Sequence, residues 1–295
     1  MYIVFSERCL EYWAPWHVES PERVYEVYKL LEAKGYRFVE PDTCTDEDLR
    51  LVHSQKLIDR VKNGDFLDAD TPNLPGMYEY AKLAVGAAVK SMEIALEHGL
   101  AFSLMRPPGH HAGVDGRALG AASQGFCFFN NVAVACKKAL EVVDKVAIID
   151  IDCHHGNGTQ EIFLRNPAVL FVSLHRYGFV YPGTGAASEG NCLNYPFMHR
   201  AADMEYLETF EKAVEKVKTF DPDVIAVSAG FDTSRFDPMF MFELTEEAYF
   251  EIGKMIASLN RRTFAVLEGG YGQKMPECVH NFIRGLEQAR RVTVR

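Results

Sequence analysis

The sequence contains no CxxC pair. Its seven cysteines, an odd number, are scattered through 295 residues. This excludes a paired-cysteine metal module and speaks against a disulfide framework, so reduced thiols and a cytoplasmic protein are expected. The chain also lacks any apolar run near the roughly 20 residues that span a bilayer. Glu7 and Arg8 interrupt the N-terminus before a signal-like segment can form, and no membrane association is expected. Basic residues are in deficit, with 31 Lys and Arg against 41 Asp and Glu, a net charge of −10. That balance argues against general nucleic-acid binding and favours a cationic substrate. Linkers rich in Pro, Gly or Ser, charge blocks and internal repeats are missing too. Residues 1–295 are therefore read as one domain, with oligomerisation left open.

What the sequence does have is a regular alternation of helical and strand patterns. Ser20-Pro21 reads as an N-cap with proline at the first helical position. Val24, Val27, Tyr28 and Leu31 form the apolar face of that helix, and Gly35 stops it. Further helices are expected over 76–98 (closed by Gly99), 131–140, 204–220, 246–259 and after Pro276. Between them lie the short runs "AFSLM", "VAIIDI", "AVLFVSL", "DVIAVSA" and "TFAVLEG". They are apolar almost throughout rather than alternating, as parallel strands covered on both faces are. The expected fold class is α/β, an open and mostly parallel central sheet with helices on both faces.

Each of these runs is followed by chemistry. "AFSLM" leads to "RPPGHHAG", "VAIIDI" to "DCHHGNG", "AVLFVSL" to "HRYG", "DVIAVSA" to "GFDTSRFDP" and "TFAVLEG" to "GYG". Ligands of open α/β sheets bind at that carboxyl edge, and five such endings point to one site. Asp150, Asp152 and His154 are spaced by two, so an extended chain would point them to one side and Cys153 to the other. With Asp232 from another strand end they offer an O/N/O donor set to a divalent metal. Three protein ligands leave a position open, as in catalytic zinc sites. The competing reading makes Asp150 and Asp152 caps of the following helix. His110 and His111 follow Pro107-Pro108-Gly109, a stiff turn that suits general acid–base work beside a metal. Tyr271 sits among Gly269, Gly270 and Gly272, which suit a hydroxyl reaching a reacting oxygen better than core packing. In "GFCFFNN", Phe128 and Phe129 read as core, while Phe126 beside Gly125 could line an apolar channel.

These motifs, in this order, resemble the zinc-dependent histone deacetylases and their bacterial and archaeal relatives, including acetylpolyamine amidohydrolases and acetoin-utilisation deacetylases. The resemblance runs from "WHVESPERV" through "LVHSQKLI", "DADTPNLPGMYEYA", "RPPGHHAG", "GFCFFNN", "DIDCHHGNGTQ", "VSLHRYG", "YPGTG" and "SAGFD" to "LEGGY". It implies an arginase/deacetylase-type fold and one zinc held by Asp152, His154 and Asp232. His110 and His111 correspond to the tandem histidines, with Asp150 orienting His110 and Asn157 partnering His111. Some members carry aspartate at the place of Asn157, and asparagine leaves the histidine less basic. Tyr271 matches the transition-state tyrosine. Gly125, Phe126 and Tyr181 would line an acyl-lysine channel, and Asp70 would be a rim aspartate. Carbonyls of Asp150, Asp152, His154, Ser173 and Leu174 fall where members often bind potassium. Met239 lies where certain polyamine deacetylases carry a glutamate, and the stretch from Asp46 to Gly76 lacks the insertion some acetylpolyamine amidohydrolases have. The resemblance implies hydrolysis of N-acetyl amides, with a small cationic amine such as an acetylpolyamine as the favoured substrate and an acetyl-lysine peptide as the alternative. A dinuclear manganese ureohydrolase and a non-catalytic acyl-binding relative are the further readings.

Overall fold

The computed structural model describes residues 1–288, and its strands explain the apolar runs. In chain order the strands are β1 (Tyr2–Val4), β2 (Arg37–Val39), β3 (Leu100–Ser103), β4 (Ala112–Gly113), β5 (Gly116–Arg117), β6 (Val146–Asp150), β7 (Val169–Arg176), β8 (Cys192–Phe197), β9 (Val224–Ala229) and β10 (Arg262–Leu267). The helices are α1 (Pro21–Ala33), α2 (Asp46–Arg50), α3 (Gln55–Lys62), α4 (Met77–His98), α5 (Asn131–Ala139), α6 (Asn157–Phe163), α7 (Asp203–Phe220), α8 (Glu246–Ser258) and α9 (Met275–Gln288). Eight strands form one sheet in the order β2-β1-β3-β10-β9-β6-β7-β8, with every pairing parallel. β4 and β5 make a separate small hairpin.

Alternate strand residues face opposite sides, and here both sides are core. Ile149, Val227 and Ala265 pack with α1, α7, α8 and α9, while Ile148, Ala226 and Phe264 pack with α3, α5 and much of α4. A strand covered on both faces must be apolar at every position, which is why these runs do not alternate.

The expected helices are present, with boundaries shifted by one or two residues. Pro21 starts α1 from Ser20, although the Ser20 side chain makes no capping bond. Gly76 and Gly99, both at positive φ, bracket α4. Three strands of the eight-stranded sheet were not expected. β1 and β2 have only three residues each, and β8 mixes buried and half-buried positions, so none carries a strong pattern. Among the described residues no helix is long and apolar enough to cross a membrane.

The order of the strands builds the site. From β6 the chain moves outward through β7 to β8, then returns to insert β9 and β10 between β6 and β3. The carboxyl ends of β3, β10, β9 and β6 thus become neighbours. Segments more than a hundred residues apart in sequence meet along this edge.

Candidate active site

Strand β6 delivers Asp150, and there the extended chain ends. The expectation that Asp150, Asp152 and His154 share one side of a strand is corrected here, because the chain bends after Ile151. Two local hydrogen bonds shape the bend: Asp152 N donates to Asp150 Oδ1 at 3.1 Å, and His154 N donates to Asp152 Oδ1 at 2.9 Å. Short acidic side chains that accept from backbone two residues on favour such turns over a strand. Nor do Asp150 and Asp152 cap the next helix, since α6 starts from Gly156 without a side-chain cap.

The bend brings donor atoms together. Those of Asp152, Cys153, His154 and Asp232 all lie within 4.8 Å of one another. His154 Nδ1 is 2.9 Å from Asp152 Oδ1 and 3.2 Å from Asp232 Oδ2. Asp232 Oδ2 is buried without a well-formed hydrogen bond, while Oδ1 accepts from Cys153 N at 2.8 Å. Cys153 does not point clear of the cluster, as an extended chain would require. Its Sγ lies 3.3 Å from Nδ1 and 3.7 Å from Nε2 of His154, so the sulfur sits over the ring face rather than along the Nδ1 lone pair.

The carboxylates are pressed against glycine backbone. A Cβ at Gly230 would lie 2.3 Å from Asp152 Oδ2, and one at Gly269 would lie 2.4 Å from Asp232 Oδ2. The glycines in "SAGFD" and "LEGGY" make room for them. Burial disfavours a charge on His154, yet hydrogen bonds and the charges of Asp152 and Asp232 lift its pKa to about 10. Two buried carboxylates, one of them with an oxygen that lacks a well-formed hydrogen bond, form a pocket that favours a cation, and the donor set fits a divalent metal. A second metal finds no such set among the described residues. The neighbouring carboxylate, Asp237, instead accepts from the backbone N of Met239, Tyr271 and Gly272.

His110 and His111 emerge after β3 with ring centroids 4.0 Å apart. Asp150 Oδ2 binds His110 Nδ1 at 2.9 Å, and Asn157 Oδ1 binds His111 Nδ1 at 2.7 Å. Asn157 Nδ2 donates to Ala118 O, which fixes the amide with its oxygen toward His111. His111 therefore donates from Nδ1 and keeps its lone pair on Nε2. The two rings are electrostatically opposite. Burial opposes charge on both, but the carboxylates of Asp150 and Asp152 overcome it at His110 and raise its pKa to about 10. At His111 burial is reinforced by the charges of His110 and His154, and its pKa falls well below the ordinary histidine value.

Above these groups lies a cavity of about 180 Å³, lined by His110, His111, Asp152, His154, Gly125, Phe126, Tyr181 and Tyr271, with Asp70, Met239 and Met241 also contributing. The Phe126 and Tyr271 rings meet edge to face at 5.8 Å. Gly125 has φ +53, and a Cβ there would come 2.4 Å from His111 Cδ2 and 2.8 Å from Tyr181. Phe128 and Phe129 are buried core, as expected. The Asp70 carboxylate is already engaged: Oδ1 accepts from Thr71 Oγ1 and Gly125 N, and Oδ2 from Ser123 Oγ. Asp150 and Ser173 are paired in register on β6 and β7, with Leu174 next along.

The sequence reading missed several supporting groups. Arg23 donates to the carbonyls of Glu268 and Gly270 and lies 5.0 Å from the Tyr271 ring centroid. Buried Arg106 binds Glu19, which also pairs with Arg23. His17 Nε2 bonds the Asp70 carbonyl and its ring packs on Phe126. The arginine of "RPPGHH" was a visible signal, whereas the partners of Arg23 come from distant segments.

A fully parallel sheet with this donor cluster and histidine pair at its carboxyl edge sets a candidate metal site beside acid–base side chains, and sequence comparison supplies the class. The histone deacetylase domain family matches residues 17–286. The chain belongs to that family and is a hydrolytic deacetylase. It is 34% identical to a histone deacetylase-like amidohydrolase of Pseudomonas aeruginosa, covering 89% of this chain and 74% of that protein. The crystal structure of the HDA15 HD domain superposes with a TM-score of 0.88 at 33% identity, over 98% of this chain and 89% of that one. The structure of acetylpolyamine aminohydrolase from Burkholderia pseudomallei superposes at 0.90 over 98% and 99%, and at 24% identity speaks for the fold.

Proposed function

We propose that the chain is a zinc-dependent amidohydrolase that cleaves N-acetyl amides to acetate and a free amine, with residues 1–295 acting as one catalytic domain in the cytoplasm. The observation that carries this reading is the unlike histidine pair facing the Asp152–His154–Asp232 cluster at the foot of an aromatic cavity. A zinc ion held by those three residues would supply Lewis acidity with a coordination position left open. His111, neutral and with its lone pair free at Nε2, takes the proton of the attacking water and returns it to the leaving amine, a contribution of roughly 10²–10⁴ in rate. His110, kept protonated by Asp150, donates a hydrogen bond to the same water. The Tyr271 hydroxyl donates to the negative charge that develops on the acyl oxygen as water adds to the acyl carbon. Gly125, Phe126 and Tyr181 hold the extended arm of the substrate, and the carbonyls around Asp150, Asp152, His154, Ser173 and Leu174 are the proposed potassium site.

The body of the amine is decided at the mouth. The net charge of −10 favours a small cationic amine such as an acetylpolyamine. A specific observation favours an acetyl-lysine peptide instead: among the described residues that line the cavity, Asp70 is the one carboxylate besides Asp152 of the donor cluster, both its oxygens already accept hydrogen bonds, and Met239 and Met241 supply no charge. The local lining governs a bound substrate more than the distant net charge does, so the peptide is the reading the geometry supports best. Hydrolysis of a fluorogenic acetyl-lysine, stopped by a chelator and restored by zinc, tests the chemistry. A kcat/KM comparison of acetylputrescine, acetylspermidine and an acetyl-lysine peptide at low and high salt tests the substrate. A polyamine preferred by about tenfold, with an advantage that fades as salt screens the charges, would return the choice to the cationic amine.

A further inference from the structure

The reaction above makes no use of Glu268, although its side chain is fully buried beside the histidine turn. Glu268 Oε2 accepts two backbone hydrogen bonds, from Gly109 N at 2.7 Å and His110 N at 3.2 Å. Oε1 has no hydrogen-bond partner among the described residues. The residue does not line the cavity. Its own backbone is fastened on both sides, through N to Ala229 O and through O to Arg23.

The turn it grips is held from the other side by α5. Asn131 Nδ2 donates to Pro107 O at 3.0 Å, and Gly109 leaves no space for a Cβ, which would meet Asn131 N at 2.5 Å and Phe129 O at 2.7 Å. His110 is thus tied by its ring to Asp150 at the end of β6 and by its backbone to Glu268 beyond the end of β10. β9 lies between those strands and carries Asp232 past its end. We propose, building on the deacetylase reading, that Glu268 is a positioning residue: its carboxylate sets the backbone from which His110 and His111 reach the donor cluster. Both donors are buried, so no solvent replaces the acceptor when it is removed.

Glutamine keeps an acceptor oxygen for the two N–H groups, and methionine fills the space without one. With the zinc-loaded protein, Glu268→Met should lose about 10²-fold in kcat with KM nearly unchanged, the usual cost of an ångström-scale misplacement. Glu268→Gln should keep kcat within about threefold and leave the pH profile unmoved, because the role is acceptance rather than proton transfer. An independent readout is the downfield NMR resonance of the His110 Nδ1 proton shared with Asp150: retained in the glutamine variant, shifted or lost in the methionine variant. This arm needs no turnover, so it still tests the brace if the enzyme proves to hydrolyse another bond. Should the methionine variant fail to fold, the glutamine variant decides alone. A glutamine variant that loses the resonance or most of its kcat would overturn the proposal, as would a methionine variant with wild-type kcat.

Discussion

Replacing Tyr271 by phenylalanine separates chemistry from packing more cleanly than any other change at this site. The ring is held by Phe126 edge to face at 5.8 Å and by Arg23 at 5.0 Å, and its backbone N is fixed by Asp237 at 2.6 Å. None of these contacts involves the hydroxyl, no hydrogen bond to it is formed among the described residues, and Tyr271 lines the cavity. Phenylalanine should therefore leave no orphaned group, and melting temperature and bound metal should match the wild type. Burial, the largest cause, also holds the phenol well above its ordinary pKa, so it remains a donor across the working pH range. What is lost is one preorganised donor to a developing oxyanion, worth about 10²–10³ in kcat, or roughly 3–4 kcal/mol. Since that donor acts on charge present only in the transition state, substrate binding should weaken far less. Steady-state kinetics on an acetyl-lysine substrate, with metal content and thermal unfolding measured on the same preparation, reads all three quantities. A kcat within a few-fold of wild type would make Tyr271 a structural residue and refute the mechanism.

Other consequences are equally direct. Wild-type protein should bind one equivalent of zinc and Asp232→Ala far less, since on the proposed reading the buried Asp232 oxygen would be one of three protein ligands; metal analysis giving two equivalents, or full occupancy in the variant, would remove the assignment. Gly125→Ala puts a Cβ 2.4 Å from His111 Cδ2 at a positive φ; we expect at least about a 10²-fold loss of kcat from the displaced imidazole, and a wild-type rate would show that the loop yields freely. His53 is buried, bonds Gly113 O through Nδ1 and accepts from Asn130 N, and burial lowers its pKa to about 4. Its unfolded value is near 6.5, so its stabilising contribution is complete above that pH and disappears as pH falls toward 4, about 3 kcal/mol in all. Denaturant unfolding of wild type and His53→Gln between pH 7 and 4 should show a shallower pH dependence in the variant, and parallel curves would contradict the assignment.

The sequence by itself determined the elements and the chemistry they carry. Strands covered on both faces must be apolar throughout, so β3, β6, β7, β9 and β10 were legible as runs. The polar and glycine residues just past them stood out because no core needs them. Asp152, His154, Asp232 and the histidine pair could be chosen this way, and the order of motifs supplied their family. The weak strands β1, β2 and β8 were not legible, because three residues or a half-buried pattern leave too little periodicity to read.

Other features existed only once the chain was folded. The bend after Ile151 replaced the expected pleat, since side chains accepting from backbone two residues on outcompeted strand extension. Cys153 consequently lies over the His154 ring instead of facing away from it. The opposite character of His110 and His111 depends on which partner each ring meets, and those partners lie 40 and 46 residues away in sequence. Glu268 reached its two donors across 159 and 158 residues, a contact that no local pattern encodes. Local propensity and hydrophobic pattern act over a few residues, whereas hydrogen-bond partners and buried-charge energies depend on strand order. Only the insertion of β9 and β10 between β3 and β6 brought those groups within reach of one another.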